Sequence, residues 1–153
     1  QALASQSARI EILSDEQYKI VNEAVLAVFQ TTQEEKLRLL RNAVLNALVA
    51  DVGNGREATM LSRIIRDISA EEAAFLVKAS ACDAIRPMET VTDEVFGDKL
   101  LRINQDGEDY LNAIGLLSLG LLAPSEATWE SSGDMRFTSI AAKVVDLLRE
   151  PDA

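Results

Sequence analysis

Three times this chain writes the same opening to a helix: Ser14-Asp15-Glu16-Gln17, Thr32-Gln33-Glu34-Glu35 and Ser69-Ala70-Glu71-Glu72. In each, a hydroxyl side chain stands three residues before a Glu or Gln. The hydroxyl accepts from the third helical N–H while the longer side chain reaches back, and the acids favour the positive end of the helix dipole. Apolar residues then recur at spacings of three and four, the period of an amphipathic helix. A chain punctuated in this way is mostly helical.

The spacing predicts a first helix over about 15–30 whose buried face is Ile20, Val21, Ala24, Val25 and Val28. A second helix follows over about 33–50, with Leu37, Leu40, Val44, Leu45 and Leu48 inward, until Gly53-Asn54-Gly55 breaks the pattern. Ala58, Leu61, Ile64, Ile65 and Ile68 mark a third helix, and a fourth covers about 70–81 with Phe75 at its rim. Short connections imply antiparallel neighbours. Residues 1–13 read as a flexible lead-in, 14–68 as a helical hairpin or bundle half, and 69–153 as a second half of one compact domain.

The second half is less regular. Pro87 stops helix four from continuing, and the scattered apolar residues up to Asn104 predict a loop with one short helix near 92–98. Asn104 is the expected cap of a helix over about 105–118 that turns Tyr110, Leu111, Ile114, Leu117 and Leu121 inward, with Gly120 at the left-handed stop. From Pro124 to Thr138 a Ser131-Ser132-Gly133-Asp134 turn and the extended run Met135-Arg136-Phe137 read as a β-hairpin, the one sheet candidate. Thr138 then caps a last helix through Arg149.

Composition removes whole classes of chemistry. The chain has no His, so no imidazole acid/base relay, no Ser-His-Asp triad and no His-ligated metal is available. Its 25 acids against 15 bases give a net charge of −10, a field that repels phosphate backbones. Cys82 has no disulfide partner and reads as a small buried filler in a reducing, cytoplasmic setting. The longest apolar run, Ala113 to Pro124, is shorter than the ~20 residues that cross a bilayer, so no membrane contact is expected from this segment. The opening at Gln1 suggests a domain excised from a longer chain.

Each candidate constellation has a plain structural reading. Asn104-Gln105-Asp106-Gly107-Glu108-Asp109 resembles the middle of a calcium loop, but Arg102 and Ala113 stand where that loop needs acids, so it reads as a helix start. Gly53-Asn54-Gly55 lacks the Lys-Ser/Thr of a phosphate loop, and Ser118 has no base to activate it. The expectation is therefore no catalytic residue, no cofactor and no metal. Trp129, Arg136 and Phe137 in the hairpin are the candidate partner contacts. The stripe from Leu111 to Leu122 reads either as core or as a dimer seam.

Residues 69–149 carry a further pattern: Ser69-Ala70-Glu71-Glu72-Ala73, then Leu119-Gly120-Leu121, a hairpin, and Phe137-Thr138-Ser139-Ile140-Ala141 opening the last helix. This order looks like a winged-helix unit. It also resembles uncharacterised bacterial proteins of the abortive-infection alpha type, although Ala141 or Ala142 stands where the last motif of that family has Gly. The resemblance implies a bacterial, defence-related role and brings no catalytic residue with it. The helix in the recognition position would carry Asp106, Glu108 and Asp109 and no Lys or Arg, which suits a protein partner better than a DNA groove.

The expected protein is mainly α: a helical N-terminal bundle packed on a winged-helix-like unit with one small β-hairpin. Its expected role is a non-enzymatic interaction or regulatory domain that binds a protein or a second copy of itself, with nucleic acid disfavoured. Two alternatives remain: a DNA-associated regulator using Arg38, Arg41, Arg63 and Arg66 as a local basic patch, and an enzyme built on convergent carboxylates.

Overall fold

A computed structural model describes residues 13–89, 99–125 and 133–152. The chain is mainly helical with a small four-stranded sheet. It divides into two compact units: unit 1 holds the residues up to Ala70 together with those from Asp146 onward, and unit 2 holds Glu71–Val145.

Unit 1 is built on α1 (Asp15–Val28), α2 (Glu34–Ala47) and α3 (Gly55–Asp67). The box at Ser14 forms as expected: Gln17 N–H donates to Ser14 Oγ at 3.1 Å and Ser14 N–H donates to Gln17 Oε1 at 3.0 Å. Gln17 does more than close the box. Its Nε2 donates to the Ala47 and Ala50 carbonyls at 3.0 and 3.1 Å, which ties the start of α1 to the end of α2 and sets the two helices antiparallel. The second opening differs from expectation. The residue before α2 is Gln33, with no side-chain capping bond, and Thr31 Oγ1 accepts from Gln33 N–H instead. Asn54, read from sequence only as part of a turn, caps α3 by accepting from Glu57 N–H at 3.0 Å.

The α3 face is buried in full at Ala58, Leu61, Ile64, Ile65 and Ile68, as its spacing predicts. The faces of α1 and α2 are rotated from expectation. In α1 the buried residues are Ile20, Ala24 and Ala27, while Val25 and Val28 are exposed. In α2 they include Leu39, Leu40, Ala43 and Ala47, and the side chains of Lys36 and Asn42 join them. Those two polar residues end other helices. The Lys36 ammonium donates to the carbonyls of Ile65, at 3.0 Å, and of Ile68, which closes the C-terminus of α3. Asn42 Nδ2 donates to Leu148 O at 3.1 Å, and Asn46 Nδ2 to Leu147 O and Arg149 O at 2.8 Å each. The carbonyls left over at a helix end are thus satisfied by side chains of a neighbouring helix. This is why the C-terminal segment groups with unit 1 and not with residues 69–145.

Unit 2 opens with α4 (Ala70–Ala79) and places β1 (Ala84–Met88) and β2 (Leu100–Asn104) where a loop was expected. Helix α5 (Glu108–Ser118), β3 (Leu122–Pro124), β4 (Met135–Phe137) and α6 (Ser139–Leu148) complete the order, and the unit boundary falls inside α6. The expected short helix near 92–98 lies outside the described residues. The hairpin is present as β3 and β4, antiparallel, with Ala123 opposite Arg136. It is half of the sheet. Strand β4 also pairs antiparallel with β1, which pairs parallel with β2, giving the order β2-β1-β4-β3.

One sheet face is buried through Leu101, Ile103, Ile85, Met135 and Leu122, and the alternate residues face the other way. Helix α5 begins later than expected, after Gly107, because Asn104 Oδ1 accepts from Asp106 N–H and closes a turn at the end of β2. Its end matches expectation. Gly120, at φ 76°, donates to Leu117 O while Leu121 N–H donates to Leu116 O at 3.0 Å, the paired bonds of a left-handed helix stop.

Candidate functional site

Helix α1 is the element whose surface is least explained by the fold. At 100° per residue, Tyr18, Val25 and Phe29 fall within about 40° of one another. They lie opposite the buried Ile20, Ala24 and Ala27. The inner face consists largely of alanine, which lets α3 approach closely: Glu16 lies at Gly55, and Lys19 Nζ donates to Thr59 Oγ1 at 3.0 Å. The bulky apolar residues are left on the outside. Phe29 is 83% exposed, Tyr18 59%, and Val25, Leu26 and Val28 are exposed with them. Between Ala24 and Gln33 there is no charged residue, so a helix that is apolar on two faces turns the second to solvent.

Among the described hairpin residues, Arg136 and Phe137 do not form one patch. Trp129 lies outside the described residues. Arg136 is exposed beside Ala84 and Ala123, whereas Phe137 is half-buried on the opposite face opposite Leu122. Successive strand residues point to opposite faces, so these two neighbours cannot share a contact across the sheet. Arg136 instead shares its face with Arg86 and Arg102, which stand directly across from each other on β1 and β2. Arg86 grips the buried Asp134 carboxylate through Nε at 2.8 Å and Nη2 at 2.9 Å.

The stripe from Leu111 to Leu122 divides. Leu116, Leu121 and Leu122 are buried, while Leu111 is 71% exposed and Ile114 is exposed on the same helix. The inward face of α5 is Ala113 and Leu116, not Leu111 and Ile114. The Glu72 side chain of α4 reaches over α5, so that a Cβ on Gly115 would collide with its carboxylate.

The four arginines of the basic-patch alternative are partly answered by acids. Arg38 lies between Glu35 and Glu150, at 3.0 and 2.8 Å, and bonds to both hold its guanidinium still more firmly protonated. Arg66 binds Asp67 at 2.9 Å, and this pairing lowers the Asp67 pKa from its ordinary value. A shallow groove of about 420 Å³ lies beside Glu34, Leu37, Arg38 and Arg41. Its acids are Glu34 and the already paired Glu35. Among the described residues no group of three or more Cys, Asp or Glu is placed to hold a metal, and no helix is long and apolar enough to cross a membrane.

Compared with protein-family models, curated proteins and solved structures, the chain matches none. Its surface alone therefore identifies the candidate site. Sequence periodicity did not single out Tyr18, Leu26 and Phe29, yet the signal was there: the wheel of α1 carries apolar side chains on both sides, and only packing decides which side is core.

Proposed function

We propose that this chain is a non-enzymatic protein-interaction module in a cytoplasmic setting and that it offers the outer face of α1 to its partner. The observation that carries this reading is the exposure of Phe29, Val25 and Leu26 on an uncharged stretch, with Tyr18 on the same face of the helix. Contiguous apolar surface of this kind marks an interaction site, and aromatic anchors supply most of the energy of such contacts. The net charge of −10 further favours protein over nucleic acid. In unit 2, the β3–β4 hairpin that follows α5 and returns to β1 supports the winged-helix-like description, to which the parallel strand β2 between β1 and α5 is an addition. The acids Glu108 and Asp109 at the start of α5 turn that description away from a DNA groove. A bacterial, defence-related context is what the resemblance of residues 69–149 implies.

The test is a photo-crosslinking residue at position 29, with position 49 as control because Val49 is 72% exposed but lies outside α1. The reading expects one discrete adduct from position 29, identified by mass, whose purified partner binds the Val49→Glu chain and not the Val25→Glu chain. No discrete adduct, or the same adduct from position 49, overturns it.

A further inference from the structure

We infer that the occupant of the α1 outer face is a second copy of this chain, in a weak dimer related by a twofold axis. The inference rests on the interaction reading above and names its partner.

An isologous contact places a patch against itself, so the patch must complement itself in shape and charge. The α1 face meets the charge condition. It carries no charge from Ala24 to Gln33, and two copies of a chain with net charge −10 are able to meet there without bringing acids into contact. A foreign cationic helix would instead need acids along the seam. At the exposed end of the face the one carboxylate is Asp15, with the opposite charge of Lys19 close by on the same helix. The face also holds Asn22, exposed on the same side, whose amide both donates and accepts and is thus its own complement across a twofold. A lone Asn in an apolar helix seam is a recurrent device for fixing register and oligomeric state.

The size of the face sets the strength. Aromatic side chains bury ~150–250 Å² each, so two largely exposed rings and three aliphatic residues offer roughly 500 Å² per copy. A standard stable interface takes about 800 Å² from each partner. The dimer is therefore weak, with a dissociation constant on the order of micromolar to submillimolar. Its salt response is distinctive. The contact is apolar while the remaining charge repels, so screening by added salt tightens it, opposite to any charge-driven complex.

Sedimentation equilibrium of the full chain, from about 5 to about 500 µM and at about 50 and 500 mM salt, tests this. The expected result is a monomer–dimer equilibrium that strengthens several-fold with salt, is abolished by Val25→Glu and by Phe29→Ser, and is unchanged by Val49→Glu. Circular dichroism of the variants confirms that the helices persist. A monomer throughout overturns the inference, as does a dimer weakened by salt or one removed by Leu111→Glu but not by Val25→Glu. If the chain is monomeric while position 29 crosslinks to a different protein, the dimer falls and the interaction reading stands. If neither occurs, both fall.

Discussion

Replacing Lys36 by Met tests whether a buried ammonium holds α3 in place. The substitution keeps an unbranched apolar stem of similar length and removes the charge with its donors. What it leaves behind is the C-terminus of α3, where the carbonyls of Ile65 and Ile68 now accept from Lys36. A hydrogen bond from a charged donor contributes ~1.5–3 kcal/mol net. A cation at a partly buried helix C-terminus contributes up to ~2 kcal/mol, part of the same effect. Against this stands the cost of keeping an ammonium out of water, which the Met variant no longer bears. The balance favours Lys36 by about 2 kcal/mol, which lowers Tm by roughly 4–8 °C in a chain of this size. Lys36→Ala costs about 1–2 kcal/mol more because the buried methylenes go too. Urea melts followed by far-ultraviolet circular dichroism give the total. Amide hydrogen exchange localises it, and the last turn of α3 should exchange faster in the Met variant. A Met variant as stable as the parent would show that desolvation of the ammonium outweighs its bonds and would refute the reasoning.

Asn46→Ala leaves the Leu147 and Arg149 carbonyls without their donor and should cost about 1–2 kcal/mol in the same melts. Asn42 behaves differently, because its Oδ1 is buried without a partner among the described residues. Asn42→Leu removes that orphan along with the bond to Leu148 O and should be close to neutral, whereas Asn42→Asp sets a carboxylate against that carbonyl and should destabilise by several kcal/mol, about 3 or more. Gly115→Ala should gain ~1 kcal/mol of helix propensity only when Glu72→Ala has cleared the space, so a double-mutant cycle in thermal melts should show coupling. The Asp67 carboxyl beside Arg66 is held below its ordinary pKa of 3.8, so its contribution is fully present above that value and is lost as the pH falls through the lower folded value. Both side chains are nearly half exposed, so Asp67→Asn should change stability by less than ~0.5 kcal/mol near neutrality, and that small difference should vanish in acid.

Much of the helical architecture was legible because it depends on local chemistry. Ser14 with Gln17 starts α1, Gly120 ends α5, and the five apolar residues of α3 face the core as their spacing demands. The parallel pair β1 and β2 was not legible, for two reasons. The strands Ala84–Met88 and Leu100–Asn104 are five residues each, too short for a firm period, and they pair across an intervening stretch whose partner choice no local signal encodes. Pro87 signals only that a helix stops, although a Pro can also sit in a strand wherever its missing N–H is not needed by a neighbour. The gathering of Arg86, Arg102 and Arg136 on one face follows from register, and that was equally invisible.

The misreading of α1 has a more instructive cause, because it concerns the candidate site itself. Periodicity ranks residues by apolar character, so Val25 and Val28 were turned inward with Ile20 and Ala24. Packing instead buries the face of Ile20, Ala24 and Ala27, whose two alanines suit a close approach of neighbouring helices, while Tyr18, Val25 and Phe29 stay outside. A helix with small apolar residues on one side and large ones on the other thus spends its small side on its own core. The large side is then the surface with the most to gain from a partner, since burying one exposed aromatic ring or branched aliphatic recovers ~1.5–3 kcal/mol. Where a sequence offers two apolar faces on one helix, the volume of the side chains, and not their count, indicates which face is core and which is free for contact.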